Sequence, residues 1–316
     1  MMVTACLLLV CMLLSGCAKE PIANDVTIMT VDGNAVTMED YRYYYLALKS
    51  QYDNGSESYW KNNKADRAQL KTLAEQYLLQ YLAYDKMLSE NNYTANEAEI
   101  KSTDDYIAEV RKSYKTEEEF QKLLTDNYLT EEAYKKSLLR TAMLNRYLFD
   151  YNKEKNADAV AKQLEKYVRV KHVLVKFGGT DGRSQSEAKK IADQVMKDAR
   201  SGADFDALVA EFGEDPGMEN NTDGYYFTEG KMVKEFEEAS FKLKDGEVSE
   251  PVESTYGYHV IVRLPMEEAY LQSHFSEIFS DDKFYESFDE ELKKTIEGLE
   301  VSYEKIYNNV DIETVK

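Results

Sequence analysis

The chain has 316 residues and a strongly negative formal net charge of −20. The length predicts about two or three domains, and a hydrophobic content of 43% is enough to build buried cores, which excludes a disordered protein. The negative charge argues against nucleic-acid backbones and anionic membrane surfaces as main partners. All three cysteines lie within the first 17 residues, so the rest of the chain offers no disulfide and no thiol nucleophile.

The N-terminus has the pattern of a secretory signal. Residues 3–14 form an apolar run that is too short for a membrane span, and Leu14-Ser15-Gly16-Cys17 follows it. This motif resembles the lipobox of bacterial lipoproteins, although no Lys or Arg precedes the apolar run. We expect a signal peptide at 1–16, a lipidated Cys17 and a tether at 17–25, which would hold the remainder at the outer face of the membrane. The alternative is a buried apolar helix that happens to contain Cys17.

Residues 26–165 are predicted to form a hairpin followed by helices. Asp32-Gly33-Asn34 lies between two short strands and is typical of a tight hairpin turn. Helices are expected at about 37–52 and 65–91, and further helix starts are marked by threonines with acidic residues after them: Thr94, Thr116 and Thr130. The apolar stripes of these helices are more typical of a helical core than of a cofactor site.

Residues 167–265 have a different pattern, in which strands and helices are mixed. The predicted elements are strands at 168–176, 225–227, 249–253 and 258–264, and helices at 184–201, 204–213 and 233–242. His172 and His259, two of the three histidines, lie inside the first and last of these apolar strands. The order predicts a small α+β domain.

The C-terminal segment, 266–316, returns to a helical pattern with apolar residues spaced by four. It is too short to fold alone, so we expect it to pack against the N-terminal helices. The fold class is therefore predicted as α+β. A domain with a small mixed sheet and flanking helices is inserted into a discontinuous all-α domain built from the N- and C-terminal segments.

Separated motifs in the central domain resemble the parvulin family of peptidyl-prolyl isomerases. They are VKHVLVK at 170–176, FGED at 212–215, GxMVxEFExAxF at 230–241, LKxGEVS at 243–249 and YGYHVI at 256–261. Together with the lipobox and the helical flanks, the chain resembles the PrsA-like extracytoplasmic foldase lipoproteins of Gram-positive bacteria.

The resemblance implies a site with two parts. The implied catalytic group is His172, Asp215, Ser254 and His259, and the implied proline pocket is Met232, Phe236 and Phe241. In this reading the histidines orient the site through a mutual hydrogen bond and do not act as bases. The alternatives are ordinary hydrogen-bonded core histidines, a turn aspartate before Pro216, and plain helix core for the three apolar residues.

One stretch departs from the family pattern. Many parvulins read G-G-D-L-G-x-F where this chain reads NTDGYYF at 221–227, so a tyrosine stands at a glycine position. This puts the loop geometry and the catalytic efficiency in doubt. The loop FGGTDGRS at 177–184 also lacks a basic cluster, so phosphorylated substrates are not expected.

The function implied by the resemblance is prolyl cis–trans isomerisation during the folding of exported proteins, on unfolded polypeptides that contain X–Pro bonds. The alternative is a non-catalytic or weakly catalytic chaperone that holds clients in a tyrosine-rich cleft of the helical domain. A solute-binding lipoprotein would need two doubly wound lobes, which the helical pattern contradicts. Neither cofactor nor metal is expected, because the sequence has no Cys/His cluster and no P-loop. A homodimer is left open.

Overall fold

The computed structural model describes residues 20–53, 59–60, 63–127, 129–178 and 182–315. The predicted signal peptide and the lipidation site Cys17 lie outside these residues. The chain divides into two compact units. The first extends to Leu144 and resumes at Glu286, and the second is Asn145–Tyr285.

The domain boundaries predicted near 166 and 265 stay a prediction. The two compact units are instead separated at Leu144/Asn145 and Tyr285/Glu286. Residues 145–165 and 266–285 belong to the same unit as the central strands. Side-chain amides join these two segments: Asn152 donates to the carbonyl of Phe284 at 2.9 Å, and Gln163 donates to that of Ile278 at 2.6 Å. Such side-chain contacts across more than a hundred residues leave no trace in local periodicity.

The first unit contains the predicted hairpin. Strand β1 (Thr27–Val31) pairs antiparallel with β2 (Asn34–Thr37), and a C-terminal strand, Val301–Tyr303, pairs with the other edge of β1. Asp32 and Gly33 have φ values of 49° and 77°, the left-handed pair that a two-residue hairpin turn requires. The C-terminal strand therefore belongs to the sheet that begins near the N-terminus.

The rest of the first unit is mainly helical, and the helix that begins at Glu131 continues into the second unit. They are α1 (Met38–Asp53), α2 (Lys64–Glu90), α3 (Glu97–Lys112), α4 (Glu117–Asp126) and α5 (Glu131–Lys155), with a late helix at Glu286–Glu297. Thr116 caps its helix as expected, whereas Asn96 caps α3 in place of the predicted Thr94, because its side chain and that of Glu99 form a reciprocal capping box. None of the described helices is long and apolar enough to cross a membrane.

The second unit is built on a four-stranded antiparallel sheet among the described residues. Its elements are α6 (Ala157–Leu164), β3 (Tyr167–Lys176), α7 (Gln185–Arg200), α8 (Phe205–Phe212), α9 (Pro216–Asn220), β4 (Tyr225–Thr228), α10 (Lys234–Lys242), β5 (Val252–Glu253) and β6 (Gly257–Leu264), followed by short helices. The strand order is β4-β3-β6-β5. The α+β fold class is confirmed, and all three strand pairs are antiparallel where a mixed sheet was expected, because strand patterns do not encode pairing direction.

The two faces of this sheet carry different helices because side chains alternate along a strand. Val173 and Val260 face α7 and α8, in a core that includes Ala192 and Leu208. Val170 and Ile261 belong to the opposite core, together with Phe236 of α10. The alternation therefore places His172 and His259 on the α10 face.

Candidate active site

His172 and His259 meet across the central strand pair. The register opposes His172 to Ile261 and Leu174 to His259, so the two imidazoles are diagonal neighbours on one face of the sheet. Their Nδ1 atoms lie 3.2 Å apart, and both side chains are buried, with 3% and 4% of their surface exposed. The structure thus brings together the two residues that the sequence places nearly ninety positions apart.

Ser254 extends the network beyond His259. Its Oγ lies 2.7 Å from His259 Nε2 and accepts a hydrogen bond from the backbone N–H of Tyr256 at 3.1 Å. Ser254 is buried in the short turn between β5 and β6, where its own N–H donates to the carbonyl of Gly257 at 2.9 Å. The turn geometry therefore fixes the hydroxyl against the imidazole.

Asp215 lies at the opposite end, on the loop that leads into α9. Its Oδ2 is 2.8 Å from His172 Nε2 and accepts a hydrogen bond from the Tyr225 hydroxyl at 2.9 Å. Its Oδ1 accepts the backbone N–H of Gly217 at 3.0 Å. The bond to His172 is the main cause that holds the pKa of Asp215 well below its usual range, against the opposing effect of burial, with Gly217 and Tyr225 adding to it. Asp215 is therefore a carboxylate at neutral pH.

The hydrogen bonds assign a direction to the whole network. The carboxylate of Asp215 can only accept, so His172 Nε2 carries a proton. The Ser254 O–H finds an acceptor at 2.7 Å in His259 Nε2 but only at 3.4 Å in the carbonyl of Gly257. His259 then carries its proton on Nδ1 and donates it to His172 Nδ1.

Burial favours this neutral state of His259. It lowers the pKa of the imidazole to about 4, and the neighbouring His172 adds to the shift, while Asp215 opposes it. An imidazole that is neutral and donates to another imidazole has no free nitrogen for a substrate proton. In this arrangement His259 therefore has no nitrogen available for acid–base chemistry.

Phe236 forms the apolar wall beside the histidines. Its ring stands edge-on to both imidazoles, with centroid distances of 5.0 Å to His172 and 5.3 Å to His259. Met232 and Phe241 pack in the same cluster and are half-buried, whereas Phe236 is 3% exposed. The three predicted pocket residues are thus assembled on one side of the histidine pair.

Two supports of the site have no counterpart in the sequence-based prediction. The Glu237 carboxylate accepts the N–H groups of Lys231 and Met232 at 3.1 and 3.3 Å, which fixes the turn that carries Met232. Tyr225 donates to Asp215 from the loop where the sequence departs from the family pattern. A tyrosine at a glycine position of the family pattern indicates that position 225 is unusual. The spacing of the sequence does not predict that its hydrogen-bond partner is Asp215, ten residues earlier.

A cavity of about 450 Å³ opens beside the network. His172, Asp215, Asp206 and Met218 are among its lining residues, whereas the predicted pocket residues Met232, Phe236 and Phe241 do not line it. The Asp215 side chain is 25% exposed, which makes it the one polar member of the predicted catalytic group that a substrate can reach without displacing the histidines. Within the described part of the chain, no cluster of three His, Cys, Asp or Glu side chains could hold a metal ion.

Comparison with known families agrees with this geometry. Residues 155–264 match the model of the PPIC-type PPIASE domain, and residues 1–148 match that of the SurA-like N-terminal domain. Fold and site therefore define a peptidyl-prolyl cis–trans isomerase of the PPIC type that is joined to a helical N-terminal domain.

The relatives are more specific. The foldase protein PrsA of Geobacillus kaustophilus is 32% identical over 230 residues, which are 68% of this chain and 73% of the relative. The foldase protein PrsA of Caldanaerobacter subterraneus is 29% identical over 257 residues, which are 77% and 74% of the two chains. The chain belongs to the PrsA foldase family, which confirms the resemblance predicted from the motifs. The parvuline NmPin of Nitrosopumilus maritimus is 37% identical over 32% of this chain and 97% of its own, with a TM-score of 0.27.

Proposed function

We propose that this isomerase lowers the rotation barrier of X–Pro bonds with two elements, the carboxylate of Asp215 and the apolar pocket of Met232, Phe236 and Phe241. Its substrates would be unfolded exported polypeptides. The observation that carries the proposal is the state of Asp215: three donors hold it ionised, yet a quarter of its side chain is exposed and it lines the cavity.

The reaction needs no covalent step. The barrier of about 18–20 kcal/mol comes from amide resonance, and uncatalysed rotation at proline takes tens to hundreds of seconds. Resonance separates charge, because it makes the carbonyl oxygen more negative and the nitrogen more positive. A pocket that removes water from the proline ring disfavours this polar ground state relative to the twisted amide, in which resonance is lost.

The carboxylate acts on the same charge separation. A fixed negative charge beside the carbonyl oxygen raises the energy of the resonance form in which that oxygen is negative. The double-bond character of the C–N bond then decreases, and rotation becomes easier. Such preorganised electrostatic effects are strong in sites that exclude water.

Asp215→Asn tests the role of the charge, because it keeps the shape and removes the carboxylate. We expect kcat for a proline peptide in a protease-free assay to fall by about 10- to 100-fold while KM changes little. Asp206→Asn is the matched control, since Asp206 lines the same cavity but is exposed and pairs with Lys171. A kcat equal to that of the control would refute the proposed role of Asp215.

A second candidate function concerns the helical unit. A groove of about 720 Å³ in this unit is lined by tyrosines, Tyr43, Tyr44 and Tyr81 among them, together with leucine side chains. These side chains suit apolar segments of unfolded chains, and the carboxylates that also line the groove, Asp40, Asp85 and Glu132 among them, suit cationic ones. If the unit also holds clients, Asp215→Asn will suppress aggregation as well as the wild type does, although its isomerase activity is reduced.

We also propose that the chain is a lipoprotein anchored through Cys17 on the outer face of the cell membrane. The support is the apolar run of residues 3–14 followed by the lipobox-like motif. Cells fed labelled palmitate should incorporate it into the wild type but not into Cys17→Ala, and the variant should leave the membrane fraction. Equal labelling of both proteins would contradict the proposed anchor.

A further inference from the structure

Tyr225 contacts the site in a way that the family pattern does not provide. It is the first residue of β4 and lies opposite Val170 in the register with β3. Its ring centroid is 5.8 Å from that of His172, and its hydroxyl donates to Asp215 Oδ2 at 2.9 Å. That oxygen also receives the bond from His172 Nε2, so two donors from neighbouring strands converge on a single carboxylate oxygen.

The local backbone leaves room for this hydroxyl. A Cβ at Gly217 would lie 1.9 Å from the Tyr225 oxygen, closer than any side chain can approach. Gly217 also supplies the N–H that binds Asp215 Oδ1 at 3.0 Å. The phenol thus fills the volume that a side chain at position 217 would need, and the same glycine anchors the other carboxylate oxygen.

We propose that Tyr225 is a positioning residue for the isomerase reaction, whose hydroxyl fixes the Asp215 carboxylate against His172 and aims its remaining acceptor capacity at the cavity. A carboxylate has about four acceptor sites, and three are occupied here. Without the phenol, only His172 and Gly217 would hold the group. The tyrosine at the glycine position then positions the Asp215 carboxylate and does not impair the loop.

The phenol remains a donor under ordinary conditions. Burial, and after it the adjacent carboxylate of Asp215, raise the pKa of Tyr225 above its usual value. A neutral O–H bound to an ionised oxygen is a charge-assisted hydrogen bond, the strong kind. Tyr225 therefore stabilises the ionised form of Asp215 that the proposed mechanism uses, and the inference rests on that mechanism.

Tyr225→Phe removes the hydroxyl and keeps the ring. We expect kcat for a proline peptide to fall about threefold to tenfold with little change in KM, because the pocket for the proline ring is intact. The proton on His172 Nε2 should resonate further downfield, since it shares the carboxylate oxygen with one donor fewer. Tyr258→Phe is the matched control: its hydroxyl donates to Glu253 at 2.9 Å, and its ring packs on the opposite face of the sheet.

A second variant makes the test independent of the first. Gly217→Ala must displace the phenol, so it should lower kcat as Tyr225→Phe does. The kcat of the double variant should be no lower than that of the less active single variant, because both substitutions remove the same hydrogen bond. Wild-type kcat and an unmoved His172 signal in Tyr225→Phe, with a large loss in Asp215→Asn, would overturn this inference alone. An unchanged Asp215→Asn would overturn the proposed mechanism as well.

Discussion

His259 donates its Nδ1 proton to His172 Nδ1, a direction that follows from the carboxylate of Asp215 at one end of the network and the hydroxyl of Ser254 at the other. Each donor from Ser254 onwards points towards Asp215, the only ionised acceptor in the series. Buried hydrogen-bonded series of this kind strengthen each other and fix a single arrangement of side chains. We therefore expect His172, held by His259, to keep the carboxylate of Asp215 in place.

The state of His259 can be tested by titration. Its pKa of about 4 in the folded chain lies below the value of 6.5 for a free imidazole. Because the unfolded chain binds the proton first, His259 contributes stability above pH 6.5 that is lost as the pH falls towards 4, on the order of 3 kcal/mol. NMR of the three histidines should show His259 neutral, with its proton on Nδ1, down to about pH 4. Titration near pH 6.5, or a proton on Nε2, would contradict the assigned direction.

At the scale of the elements, the sequence predicted most of what positions the site. The strands expected at 168–176 and 258–264 are Tyr167–Lys176 and Gly257–Leu264 in the structure, and the helix expected at 233–242 is Lys234–Lys242. The strand expected at 249–253 shrinks to Val252–Glu253. At its start, the N–H of Ser249 donates to the carbonyl of Ile261 at 2.8 Å, and the preceding residue, Val248, makes an isolated bridge with Val262, so this part runs beside β6 without a full ladder.

The sequence could not predict which side chains of different strands and loops are in contact. Periodicity places His172 and His259 on strands, but the register that makes them diagonal neighbours depends on the pairing of β3 with β6. The bond between Tyr225 and Asp215 likewise depends on where the loop before α9 lies relative to the start of β4. The resemblance to the family predicted the contact between His172 and His259. It did not predict the bond between Tyr225 and Asp215, because the tyrosine is outside the family pattern.

Gly257 lies at a close approach of β6 to β3. It has a φ of 153°, and a Cβ there would lie 2.3 Å from the carbonyl oxygen of Val175. Gly257→Ala should therefore lower the free energy of unfolding by about 2–4 kcal/mol in urea titrations, since the β3–β6 ladder must shift. Gly246→Ala is the control, because Gly246 also has a positive φ, of 81°, but an added Cβ meets nothing within 4 Å. Equal losses in the two variants would show that the clash with Val175 does not matter.

At the scale of the whole molecule, the chain combines an isomerase unit with a helical unit that the C-terminal strand completes. The proposed catalytic group and the proline pocket lie in residues 145–285, and the tyrosine-lined groove lies in the other unit. The net charge of −20 favours cationic segments of unfolded clients, with an attraction that salt weakens. We therefore expect the proposed catalysis and the proposed client binding to be separable by substitution in one unit at a time.

The most direct test is the refolding of a client protein whose slow phase is limited by prolyl isomerisation. The wild type should accelerate that phase, and Phe236→Ala should lose most of the acceleration, by about tenfold or more, because the wall of the proline pocket is gone. Phe205→Ala, on the opposite face of the sheet, should retain it. Equal acceleration by the wild type and Phe236→Ala would contradict a proline pocket at this site.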